Sequence, residues 1–206
     1  MTGTRGLRSF AAGVLLAALL AGAAVLLFAR EPARTEALRA GEYDPPRAAP
    51  DFALAGSDGS EVTLAEHRGK VVLLTFGFTY CAAVCPTTLA TLAQARGLLG
   101  DKADAVQVIF VTVDPQRDDA AQMSPYLAAF DPSFIGATGE PAALAEVREA
   151  YGVTAVKEGT GPGYAMAHTS SIFLIDGAGR LRAMMPFGRD AADFAHDIEV
   201  LLDAQA

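Results

Sequence analysis

The sequence predicts an α/β layered domain built on a central sheet. Three observations carry that expectation. Two nearly continuous apolar runs, 70–78 ("KVVLLTFGF") and 105–114 ("AVQVIFVTVD"), are rich in β formers and suit strands buried on both faces. Helix-period patterns fall between the predicted strands instead of following them as a block. Short turn signals, Asp58-Gly59 and "GAGR" at 177–180, mark hairpins near each end.

Taken in order, "DFALAGSDGSEVTL" alternates apolar and polar residues around Asp58-Gly59 and reads as a hairpin. The run Lys70 to Phe78 follows as a central strand. "PTTLATLAQARGLL" is helical, with Leu89, Leu92, Ala93 and Leu99 on one face. Val106 to Val113 is the second central strand. "DDAAQMSPYLAAF" reads as a helix, with Pro125 as a start or kink near Ser124. "PSFIGAT" is a short strand, and "EPAALAEVREAYG" a helix with Pro141 at its start and Gly152 past its end. A Gly/Pro loop is expected over Val156 to Ala167. "SSIFLID" and "LRAMMPF" flank "GAGR" as a hairpin. The segment from Arg189 to Gln205 closes the chain as a helix, with Phe194, Ala195, Ile198, Leu201 and Leu202 at helical spacing.

The N-terminal part has a different composition. Phe10 to Ala29 are twenty uncharged residues, mostly Ala, Leu and Val. At about 1.5 Å per residue such a helix crosses a hydrocarbon core of roughly 30 Å. Arg5 and Arg8 precede the run and favour a cytoplasmic N-terminus, with the body exported. A cleaved signal peptide, with Ala21-Gly22-Ala23 as its site, is the alternative. The run is long for a signal, so the expectation is one uncleaved transmembrane helix within 1–30. A tether over 31–50, rich in Ala, Arg, Glu and Pro, is expected next, and then a single domain over 51–206. From residue 31 onward the chain carries 13 basic and 24 acidic residues, a net of −11 with no basic patch. Nucleic acid is therefore not an expected partner.

The chain has two cysteines, Cys81 and Cys85, in "FGFTYCAAVCPTT". They follow a central strand and open a helix. Such a position presents free N–H groups and a partial positive charge, which stabilise a thiolate. Residues four apart on a helix have Cβ atoms about 5–6 Å apart. A disulfide prefers about 3.8 Å, so closing one requires local adjustment. The spacing suits both redox exchange and a shared metal ion. A structural disulfide is a third reading, but so short a loop restrains little unfolded-chain entropy. Haem attachment fails because no C-x-x-C-H is present. Structural zinc wants four protein ligands, so Cu(I) at lower coordination suits two thiolates and one imidazole better. Among the three histidines, His67 lies in a polar turn and His196 off the apolar stripe of the last helix. His168 ends the Gly/Pro loop directly before a core strand, where a side chain is well placed for a site.

"FGFTYCAAVCPTT", "VTVDPQRD" and "AHTSSIFLID", in that order and spacing, resemble the Sco/SenC family, membrane-anchored proteins that build the copper sites of cytochrome c oxidase. The resemblance covers about Asp51 to Leu202. It implies a thioredoxin-like fold with a mixed central sheet and a hairpin at the start. It also implies copper bound by Cys81, Cys85 and His168. The expected function is then that of a metallochaperone, not a turnover enzyme, whose partners are a copper-receiving oxidase subunit and a copper donor or thiol reductase. The matching stretch Asp114, Pro115, Arg117 and Asp118 reads on its own as a turn and helix cap. Ala82, Ala83 and Ala167 stand where the family commonly has proline and acidic residues, which disfavours Cu(II) more than Cu(I). The alternative function is a membrane-anchored thiol–disulfide reductase, with Cys81 attacking and Cys85 resolving. A peroxidase is a weaker fit, since "TFGFTYC" lacks the proline of that motif.

Overall fold

The structure, a computed structural model, describes residues 36–161 and 163–205. The apolar run at 10–29 lies outside the described residues, and so does the anchor expected there. Among the described residues no helix is long and apolar enough to cross a membrane.

The core is an eight-stranded mixed sheet. Its centre is β4 (Val71–Gly77) beside β5 (Val106–Thr112), paired in parallel from Val71↔Val106 to Gly77↔Thr112. All fourteen positions of these two strands are buried, which is why both read as unbroken apolar runs. On one side of β4 lies β9 (Ile172–Ile175), then β10 (Arg180–Met185), then β1 (Gly41–Ala48), each antiparallel to its neighbour. Beyond β5 lie β6 (Ile135–Thr138), in parallel, and the hairpin of β2 (Ala53–Gly56) and β3 (Glu61–Thr63). The expected N-terminal hairpin is therefore present and forms that edge of the sheet.

Among the described residues the α-helices are α1 (Val84–Leu98), α2 (Ala120–Ala128), α3 (Pro141–Tyr151) and α4 (Ala191–Asp203). α1 packs on α4, and Leu89 and Leu92 reach full burial. Tyr151 of α3 meets the Phe76 and Phe173 rings at 5.9 and 5.2 Å. Gly152 terminates α3 at φ 69°, a left-handed C-cap that suits glycine.

Three expectations are corrected. Within the tether expected over 31–50, Gly41–Ala48 form the strand β1, while 31–35 lie outside the described residues. This strand forms an edge and is almost wholly exposed, so it carries no period-2 signal. Its prolines sit where the register with β10 shifts between Glu42 and Arg47, a position that tolerates a missing donor. Asp197, fully buried in α4, accepts the N–H groups of Arg39 and Ala40 and fixes the approach to β1. Second, α2 begins at Ala120, capped by Asp119 Oδ1 on the Gln122 N–H, so Pro125 lies inside it and is not its start. Third, the loop expected over Val156 to Ala167 has a two-stranded ribbon at both its ends. β7 (Ala155–Glu158) pairs with β8 (Ala165–His168) in register from Ala155↔His168 to Glu158↔Ala165.

Candidate metal centre

The two cysteines sit where β4 hands over to α1. Cys81 N donates to Phe78 O, forming a turn that brings the sulfur to the start of the helix. No side-chain cap closes that helix end; Cys81 Sγ instead accepts the Cys85 N–H at 3.4 Å. Burial pushes the Cys81 pKa up, but hydrogen bonds from the Cys85, Ala83 and Val84 backbone and from the Cys85 thiol outweigh it, so the net shift is downward. Cys85 is the opposite case. It is 3 % exposed, and burial, together with the Cys81 sulfur and Asp118, pushes it up to about 12. One sulfur is thus half-exposed with its pKa lowered, the other buried and protonated, and the two are not bonded to each other.

His168 ends β8 and reaches the same place. Its Nδ1 donates to Thr169 O at 2.9 Å, which fixes the tautomer and leaves the Nε2 lone pair free to accept. That Nε2 lies 3.7 Å from Cys85 Sγ. The Phe78 ring meets the imidazole edge-on at 5.9 Å. A fixed tautomer with an outward lone pair is how proteins prepare a metal-binding histidine. Among the described residues no group of three or more His, Cys, Asp or Glu side chains is already arranged to hold a metal ion. Cys81 and His168 line an open cavity of about 490 Å³, and Cys85 lies buried behind it, beside His168.

The other histidines lie elsewhere. His67 is in a short 3-10 turn before β4. His196 was expected to be solvated, but its side chain is 16 % exposed and its Nδ1 donates to Asp197 at 2.9 Å.

The sequence reading missed what Asp114, Arg117 and Asp118 do. Asp118, fully buried, accepts from the Thr79 N–H at 3.0 Å, Thr79 Oγ1 at 2.6 Å and Thr112 Oγ1 at 2.7 Å. It therefore holds the turn that carries Cys81 against β5. Asp114 accepts from the Tyr164 hydroxyl at 2.6 Å and pairs with Arg117. The Arg117 guanidinium lies 3.6 Å from the Tyr164 ring centroid and donates to Tyr164 O. Tyr164 precedes β8, so this pair fastens the ribbon that carries His168. One turn after β5 thus holds both halves of the site. The signal was a cluster of charges at the C-terminal end of a buried strand, where α/β sites gather.

Gly77 is needed for close approach. A Cβ there would lie 2.6 Å from Phe110 Cε2 and 2.9 Å from Cys85 Sγ.

The chain matches the SCO1/SenC family over residues 40–203. It is 36 % identical over 151 residues to the mitochondrial SCO2 homolog of Mus musculus, a match that takes in 71 % of this chain and 58 % of that protein. Among solved structures it is similar to ScoI of Bradyrhizobium japonicum with copper bound, at 38 % identity and a TM-score of 0.70. That match covers 75 % of this chain and 99 % of the other. Apo Sco1 of Thermus thermophilus is similar at 39 % identity and a TM-score of 0.69, covering 84 % and 99 %. With the family matched across nearly the whole described fold, the chain belongs to the SCO1/SenC family.

Proposed function

We propose that this protein is a copper carrier that binds one Cu(I) through Cys81, Cys85 and His168 and delivers it to an oxidase subunit. The observation that supports this most is the His168 Nε2 lone pair aimed at Cys85 Sγ from 3.7 Å. Metal bonds of about 2.3 Å to sulfur and about 2.0 Å to nitrogen would span that gap at an angle of about 120°. Two thiolates and an imidazole are soft to borderline donors that suit Cu(I). Hard donors are scarce at the mouth. Ala82, Ala83 and Ala167 have none, and Asp114 and Asp118 are occupied by their own hydrogen bonds. The copper-bound ScoI relative supports carrying the metal over to this chain.

The chemistry of transfer is ligand exchange. Cys81, half-exposed and acidic, is the group an incoming or departing thiolate ligand can reach first. Cys85 must release its proton to bind, and His168 completes the set through Nε2. Delivery on the exported side of a membrane, with 10–29 as the anchor, belongs to the same proposal. The second reading, a thiol–disulfide reductase, is favoured by one observation: the acidic Cys81 beside the buried Cys85 resembles an attacking and resolving pair.

The test is Cu(I) titration of the reduced protein against a competing chelator. One ion per chain is expected, with Cys81→Ser and Cys85→Ser each losing at least about 100-fold in affinity. Wild-type affinity in either variant would place the copper elsewhere.

A further inference from the structure

We infer that Met166 is an additional soft ligand for Cu(I), placed at the outer mouth of the site; this rests on the copper reading above. Met166 and His168 are two residues apart on β8, so their side chains leave the same face of the ribbon. Both are half-buried, while Ala165 and Ala167 between and beside them are exposed. Both line the cavity of about 490 Å³ that also contains Cys81. The thioether therefore shares one open space with two of the proposed ligands.

The rest of that wall offers little competition. Phe78, Ala82, Val84 and Ala167 have no donor atom. The Tyr164 hydroxyl is committed to Asp114 at 2.6 Å. The hydroxyls of Tyr80 and Ser170 are hard, neutral oxygens. Among the cavity's side chains, Cys81 and Met166 are thus the two sulfur donors. A thioether selects Cu(I), needs no deprotonation and brings no charge. It gives Cu(II) little of what an acidic neighbour would.

The arrangement divides the donors by depth. Cys81 and Met166 are the outer, half-buried pair. Cys85 is the buried donor, and His168, half-buried itself, reaches it at 3.7 Å. An arriving Cu(I) meets the Cys81 sulfur and the Met166 thioether first, and Met166 stays bound as a weak outer ligand that is easily exchanged on handover.

The test uses the reduced full chain labelled with [methyl-13C]methionine and Cu(I) delivered from a chelator. With one equivalent bound, the Met166 methyl resonance should shift while those of Met123 and Met185, both fully buried in the core, stay in place. Met166→Leu, which keeps the volume, assigns the resonance; it should weaken Cu(I) binding about tenfold and leave Cu(II) binding unchanged. If one Cu(I) binds and the Met166 methyl does not move, the inference is overturned and the three-ligand reading stands. If the wild-type chain binds no Cu(I), both fall together.

Discussion

Gly77→Ala tests the packing behind the site. The new methyl would lie 2.6 and 2.7 Å from Phe110 Cε2 and Cζ and 2.9 Å from Cys85 Sγ. Ordinary carbon contacts are about 3.5–4.0 Å, so the deficit is about 1 Å. Neither neighbour can swing into solvent: Phe110 is 1 % exposed and Cys85 3 %. Overpacking of this kind costs about 1–3 kcal/mol. In a domain spanning 37–206, each kcal/mol moves the melting temperature by about 2–4 °C, so a fall of about 2–12 °C is expected. The strain also acts on the site. Displacing the Cys85 sulfur disturbs its 3.7 Å approach to His168, and Cu(I) affinity should fall about tenfold or more. Gly97→Ala is the control. It sits in α1 with nothing within 4 Å of the added Cβ, and should gain about 0.5–1 kcal/mol. Thermal unfolding of the reduced apo protein and Cu(I) competition read the two effects. A Gly77→Ala protein with wild-type melting temperature and affinity would refute the reasoning.

Three more outcomes follow from the same geometry. At pH 7, iodoacetamide should modify Cys81 and leave Cys85 almost untouched, because Cys85 is pushed up to about 12 and so has about 1000-fold less thiolate than an ordinary cysteine; equal labelling in peptide mass spectrometry contradicts this. Asp118→Ala should cost at least about 3 kcal/mol in urea unfolding, since Thr79 N–H, Thr79 Oγ1 and Thr112 Oγ1 lose a charged acceptor together; a loss under about 1 kcal/mol would mean that the turn does not depend on it. Cu(I) affinity should rise with pH between 6 and 8 by about one log unit per pH unit from Cys85 alone, because that thiol stays protonated throughout and must release its proton on binding. A flat profile would show that Cys85 is not a ligand.

Where an element's burial had a period, the sequence disclosed it. β4 and β5 are buried at every position, and the chain shows this as unbroken apolar runs. The helix from 84 to 98 and the hairpin from 172 to 185 follow from spacing and turn chemistry. β1 was not legible, because an exposed edge strand with prolines has the composition of a tether. The β7–β8 ribbon was hidden for a similar reason: its residues are mostly exposed, and Gly159, Gly161 and Gly163 fall between its strands. The cysteine pair was visible from its place between a strand and a helix. His168 gained its weight from its position before β9 and from the family resemblance. The hydrogen bonds of Asp118 to Thr79 and Thr112 join residues up to 39 apart in sequence, and no local pattern encodes them.

The central claim is that His168 acts as a metal ligand and not as a bystander to thiol exchange. The most direct measurement is oxidase activity in cells carrying His168→Ala at low copper, beside the Cys81–Cys85 reduction potential of the same variant in vitro. Loss of oxidase assembly is expected, with the potential within about 30 mV of wild type, a change worth about 1.4 kcal/mol for a two-electron couple. His67→Ala, remote from the site, should behave as wild type. Full oxidase activity in His168→Ala, with none in Cys81→Ser or Cys85→Ser, would contradict the copper-carrier reading and leave thiol–disulfide exchange in its place.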